Sequence, residues 1–208
     1  MWRNTYGTAP KIATTINFRV IRGLFPFAFF NVSSAFLMSD IHYFIRPEQA
    51  NDAPHIDLLT RRVFGPGMNA RAAYVLREGV GHEEWASFVA ELDGNVVGSV
   101  RLTWIMVGDE KVLLLGPLGV LPEFKDKGIG RALMHKAVEN AKAVAADKGN
   151  RAILLVGDLA YYQAFGFEQV KSGSIRMPRP VDPNRVLLCF LDDDNRQPMS
   201  GIARSIVA

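Results

Sequence analysis

A chain of 208 residues, 49% hydrophobic and 22% charged, has the size and composition of a globular protein that buries one sizeable core. Its single cysteine, Cys189, excludes an intrachain disulfide framework and a thiolate zinc site, and points to a reducing, cytoplasmic location. Residues 1–39 hold four of the 24 basic residues and none of the 21 acidic ones, so behind a net charge of +3 the remainder stands at 20 against 21, or −1, which makes no case for a nucleic-acid partner.

The acid-free opening contains GLFPFAFFNVSSAFLM, residues 23–38, about as long as the apolar core of a signal peptide. Pro26, Asn31, Ser33 and Ser34 interrupt it and it is too short to span a bilayer comfortably, so no stable membrane insertion is expected. A targeting segment, a peripheral membrane anchor and an upstream extension all fit this composition. The extension is preferred, because the text becomes balanced and globular directly after Met38. The expected organisation is an extension over residues 1–37, ahead of a true start at Met38, and one domain over 38–208.

From Ile41 the chain alternates between strand and helix patterns without internal repeats. IHYFIRP predicts a first strand stopped by Pro47, and NDAPHIDLLTRRVFG a helix with Ile56, Leu59 and Val63 on its apolar side, ending near Gly65. ARAAYVLREG predicts a second helix closed by Gly79. FVAELDGNVVGSVRLTWIMV is a hairpin about the turn pair Asp93-Gly94, and KVLLLGPLGV a further strand after Gly108-Asp109. Residues 128 to about 148 carry Ile129, Leu133, Ala137, Ala141 and Val144 on one helical face, with Gly149 placed to end the helix. RAILLV, DLAYYQAFG and RVLLCFL complete the order as strand, short helix and last strand. Strand, helix, strand across the glycines implies a parallel pair, whereas the earlier hairpin is antiparallel, so the sheet is expected to be mixed.

The stretch VLPEFKDKGIGRAL, residues 120–133, crowds Lys125, Lys127 and Arg131 around the start of the long helix, where the macrodipole is already positive. Unpaired N–H groups at a helix start, glycines that permit close approach and added cations together form a site for a phosphorylated ligand. The plainer alternative has Asp126 capping the helix and the cations facing water. A P-loop is excluded because no Gly-Lys-Ser/Thr follows, and a dinucleotide fingerprint because the third glycine is missing. Pro117 in the preceding strand cannot donate to a ladder, so that strand has a free edge or pulls away from its neighbour. An opening between parallel strands beside a phosphate-binding turn suits coenzyme A, whose amide-bearing arm can pair with a strand edge.

Val120-Leu121-Pro122 followed by Lys125-Asp126-Lys127-Gly128-Ile129-Gly130 resembles the acetyl-CoA signature of the GNAT superfamily of N-acetyltransferases. Tyr161-Tyr162-Gln163-Ala164-Phe165-Gly166-Phe167 resembles its later Tyr-containing motif. The likeness spans residues 40–190, and LGPLGV and GDLAYYQAFGF further resemble a bacterial branch of small predicted acetyltransferases. It implies an α/β fold of mixed α+β type: a central, mostly antiparallel sheet with one splayed parallel strand pair, flanked by helices. It also implies acetyl-CoA as acyl donor, held by Leu118, Gly119, Val120, Lys125, Asp126, Lys127, Gly128, Ile129, Gly130 and Arg131, and Tyr162 as general acid. Two departures stand out. The family usually has Gln or Arg at Lys125, and many members carry an Asn where this chain reads Val156-Gly157-Asp158.

Acetyl transfer to an amine requires a neutral amine, donors for a developing oxyanion and a proton for the departing thiolate. Backbone N–H groups around Leu118 to Val120 suit the oxyanion, and the phenol of Tyr162 suits the thiolate. Glu78, His82, Glu83 and Glu84 cluster in REGVGHEEW, and of these Glu78, His82 and Glu84 are the candidate acceptor-side residues. His42, His55 and His135 show no metal spacing, Asp192-Asp193-Asp194 reads as a charged loop and Cys189 as an inert core thiol, so no metal is expected. The expected partner is a small-molecule or protein amine, with homodimer formation through a sheet edge also open. The competing readings are an acyl-CoA sensor of the same fold without catalysis and a membrane-associated interaction protein.

Overall fold

The computed structural model describes residues 42–192 and 196–207. The expectations for residues 1–38, and those for Asp193 and Asp194, lie outside the described residues. The strands are β1 (Phe44–Pro47), β2 (Phe88–Leu92), β3 (Asn95–Val107), β4 (Glu110–Val120), β5 (Ala152–Val156), β6 (Glu168–Gln169), β7 (Ile175–Arg176), β8 (Val186–Phe190) and β9 (Gly201–Ser205). The helices are α1 (Ala53–Phe64), α2 (Ala72–Val75), α3 (Ile129–Lys148) and α4 (Leu159–Tyr162). The sheet runs β1-β2-β3-β4-β5-β8-β6, with β9 on β3 and β7. β4–β5 and β7–β9 are parallel and the other pairs antiparallel, so the mixed, mostly antiparallel sheet read from the sequence is the one formed.

The period-two pattern of the strands sends alternate side chains to two cores. On one face Ile129, Leu133, Ala137 and Ala141 of α3 pack against Val100, Leu102, Leu113 and Leu155. On the other, Leu76 joins Ile105, Val107, Leu114, Leu154 and Leu188. Burying Ile129 or Leu133 contributes on the order of 1.5–3 kcal/mol apiece. Two glycines let helices press onto the sheet. A Cβ at Gly98 would stand 3.0 Å from Ile129 Cγ2, and one at Gly119 would stand 2.8 Å from Leu59 Cδ2 of α1.

One sequence expectation needs correction, and so does the plainer alternative for Asp126. The second helix is only four residues long, because Arg77 and Glu78 donate to carbonyls three residues back, at 2.9 and 3.3 Å, and Gly79 turns left-handed at φ 73°. These tighter turns replace an α-helical end. Asp126 does not cap α3; it lies before the helix in a left-handed conformation, φ 59°. Asp158 occupies the N-cap position of α4 but makes no side-chain cap, its Oδ1 lying instead 3.2 Å from Arg185 Nε.

Candidate functional site

Leu113 pairs with Ile153 and Leu114 with Leu154, and there the β4–β5 ladder ends. Beyond it β5 stays with β8, through Leu155–Leu187 and Val156–Val186, while β4 stays with β3, through Leu118–Val100, Gly119–Ser99 and Val120–Gly98. Gly116 and Pro117 bulge together against Arg101 on β3. A wedge therefore opens between the parallel strands at Pro117, where the missing N–H had marked a parting. Leu121 N–H donates to Val97 O on β3 at 2.9 Å. By the period of two, the N–H groups of Leu118 and Val120 face the wedge.

At the wide end of the wedge stands the Gly-rich turn. Asp126 and Gly128 both adopt positive φ, 59° and 79°. Among the described residues no backbone carbonyl accepts from the N–H groups of residues 126–131; the first such bond is Ala132 N–H to Gly128 O, 3.0 Å. Successive free N–H groups at a helix start form an anion-binding concavity. Lys125, Lys127 and Arg131 surround it, exposed and with no carboxylate in ion-pair range among the described residues. The ten residues predicted to hold a cofactor are thus contiguous in space, as one strand edge running into one helix start.

The two tyrosines of α4 divide between this turn and the wedge. Tyr161 is 39% exposed, and a Cβ at Gly130 would stand 3.1 Å from its hydroxyl, so it lies against the first turn of α3. Tyr162 is half-buried. Its ring meets Tyr161 edge-on at 4.9 Å and Phe167 at 5.9 Å, and lies over Gly157 at the end of β5. The Tyr162 hydroxyl has no hydrogen-bond partner among the described residues. Burial pushes its pKa up to about 12, reinforced by Tyr161 and Asp158 and opposed by Arg185. At neutral pH the phenol keeps its proton and its donor is free.

The opposite face of the sheet carries ionisable groups. Glu48, after β1, is 6% exposed and receives Arg101 Nε at 2.9 Å on one carboxylate oxygen and His82 Nε2 at 3.2 Å on the other. Arg101 lies across from the bulge at Gly116-Pro117. The structure therefore brings His82, of the three predicted acceptor-side residues, into an ordered cluster beside the wedge, and leaves Glu78 and Glu84 exposed. Sequence reasoning missed Glu48, Arg101 and Arg77. Glu48 reads as a solvated residue after a proline, and its only signal is an acid next to a strand end. Cys189 is buried, its thiol donating to Phe165 O at 3.7 Å, as an unreactive core residue.

Residues 83–169 match the family model of the acetyltransferase (GNAT) domain. The chain is 29% identical over 160 residues to an uncharacterized N-acetyltransferase of Escherichia coli, YhbS, covering 76% of this chain and 93% of that protein. The crystal structure of YhbS in complex with CoA superposes with a TM-score of 0.65 at 28% identity, over 79% of this chain and 90% of that one. A GNAT family acetyltransferase from Brucella melitensis, in complex with acetyl-CoA, gives a TM-score of 0.50 at 32% identity, over 62% and 84%. The residues matched by the family model contain β4, β5, the Gly-rich turn and α4.

Proposed function

The chain belongs to the GNAT superfamily of acyltransferases, and from that premise we propose that it transfers the acetyl group of acetyl-CoA to a primary amine at the wedge between β4 and β5. One observation carries the reading: the β4–β5 ladder stops at Leu114–Leu154, directly between a helix start with free N–H groups and an unpartnered Tyr162 hydroxyl. The residues suit such a ligand at each point. N–H groups of 126–131, with Lys125, Lys127 and Arg131, bind the pyrophosphate, and Leu118 and Val120 pair with the amides of the pantetheine arm as a strand would. Acetyl-CoA, when bound, supplies the acyl group as a thioester.

The roles of the chain's own residues follow from their positions. Backbone N–H groups at Leu118 to Val120 stabilise the carbonyl oxygen as it gains negative charge. His82, oriented by Glu48, accepts the proton that the amine must lose before or as its nitrogen attacks carbon. A C–N bond forms, the C–S bond breaks and sulfur leaves as a thiolate. Tyr162 donates a hydrogen bond to that sulfur from the α3 side. A phenol of pKa about 12 does not stay ionised at neutral pH, so as Tyr162 passes its proton to the sulfur it regains the proton that the new amide nitrogen releases, leaving a thiol, an amide and a neutral phenol. The domain assigned to this activity is residues 38–208, and a buried Cys189 thiol outside any disulfide suits a cytoplasmic setting.

Calorimetric titration of the full chain with acetyl-CoA, desulfo-CoA and ATP tests the proposal, followed by measurement of CoA release with a panel of amines. Micromolar binding of both CoA ligands, no ATP binding and amine-dependent CoA release are expected. Equal affinity for ATP, or no binding by folded protein, overturns it.

A further inference from the structure

Arg77 follows α2 by two residues and differs from Arg46, Arg101 and Arg151, whose guanidinium groups each hold a carboxylate. Its Nη2 donates to Leu115 O at 3.2 Å, its Nε is buried without a partner, and no carboxylate lies within ion-pair distance among the described residues. The side chain is half-buried, and desolvation without a countercharge lowers its guanidinium to about 10.

The carbonyl it touches locates it. Leu115 stands opposite Leu102, and Leu102 spends its N–H on Ser87 Oγ, 3.2 Å, and its carbonyl on Glu83 N–H, 2.7 Å, both on the β2 side. Leu115 therefore points its own carbonyl the other way, toward β5, one residue beyond the last β4–β5 pair. Arg77 takes the place that an N–H of β5 would have held, at the narrow end of the wedge. A Cβ at Gly116 would stand 2.8 Å from Nη2, so the glycine leaves room for the guanidinium. Leu76 beside it packs on the face opposite α3, the side to which strand alternation turns Arg101, between Val100 and Leu102.

We propose that Arg77 binds a carboxylate carried by the acyl-accepting amine, so that the acceptor is a small amino acid rather than a polyamine or other purely cationic amine. This inference rests on the acetyl-transfer reading above. Leu115 and Leu118 are three residues apart, a span of at most ~10 Å, so a carboxylate on the guanidinium fork and an amine at the acyl carbon belong to one small molecule. A second cation would meet the Arg77 charge with no countercharge nearby. Arg101, already neutralised by Glu48, is not available for the same task.

The test compares CoA release with amino acids and with their carboxamides, using acetyl-CoA and succinyl-CoA as donors, for the wild type, Arg77→Gln and Arg77→Lys. Calorimetry on the same proteins reports acetyl-CoA binding separately. The wild type should prefer carboxylates by about 100-fold in kcat/KM. Arg77→Gln should abolish that preference while leaving acetyl-CoA affinity within a factor of about three, and Arg77→Lys should restore part of it. Equal use of carboxylates and carboxamides by a wild type that binds acetyl-CoA overturns the inference and leaves the proposed function standing. So does a substitution that alters only the choice between succinyl and acetyl donors, which would place the carboxylate on the acyl group. Failure to bind acetyl-CoA removes both readings.

Discussion

Gly157 lies directly beneath the ring of Tyr162: a Cβ at that position would stand 2.2 Å from Cε2 and 2.8 Å from Cδ2. The end of β5 thus sets where the phenol points. Gly157→Ala should force the ring out of place, costing about 1–3 kcal/mol of stability and most of the activity. Urea unfolding checks the first effect, and CoA release the second. Pairing the change with Tyr162→Ala should recover much of the lost stability, because the clash then disappears.

Tyr162→Phe removes the unpartnered hydroxyl and little else. Turnover should fall by about 100-fold while the acetyl-CoA Kd measured by calorimetry stays within a factor of about three. An acyl-CoA sensor would show no effect on any function it has. Burial raises the tyrosine above its ordinary value of 10, to about 12, so the contribution of its neutral form to stability is complete below about pH 10 and is lost as pH rises toward 12. Phenolate absorbance during alkaline titration should lose its late component in the variant.

At the Gly-rich turn, Gly128 holds φ 79°, a conformation that costs an alanine about 1 kcal/mol or more. Gly128→Ala should weaken acetyl-CoA binding about tenfold by disturbing the row of free N–H groups, with a smaller loss in Tm. Lys127→Ala should weaken it only a few-fold. That deficit should shrink as salt rises toward ~1 M, where the screening length falls to ~3 Å. Titrations at two ionic strengths separate the two effects.

Arg46 joins β1 to Asp52 at 2.7 Å and to Glu91 of β2 at 2.7 Å. The Arg46 hydrogen bond, opposed by burial and aided by the Gln49 N–H, holds the Asp52 carboxyl below the usual carboxylate range. A depressed carboxyl stabilises the fold above its unfolded pKa of ~3.9, and the gain disappears as pH falls through the folded value. Asp52→Asn should therefore be less stable than the wild type at pH 7 and lose less on acidification below pH ~4. Denaturant unfolding at several pH values checks both slopes.

Much of the site was legible because it depends on local chemistry. Glycines at 128 and 130, the cations around them and the proline at 117 specify backbone behaviour wherever the chain goes, and the periodicity of residues 129–148 specifies a helix with one apolar face. β9 escaped notice because GIARS is short and polar; it becomes a strand by completing the edge of β3 at Ile105–Val107. Arg77 escaped for a related reason. In the sequence it is one more charge at the end of a weak helix, followed by Glu78, and nothing local distinguishes a solvated arginine from a half-buried one. Its place at the head of the wedge follows from the register that turns Leu115 O toward β5 and from the parting of β4 and β5, both of which exist only once the strands are paired. Backbone preferences and the Gly-rich turn were written in the order of residues. Long-range register decided which charges face the wedge, because a residue's neighbour across a sheet is set by where another strand lies.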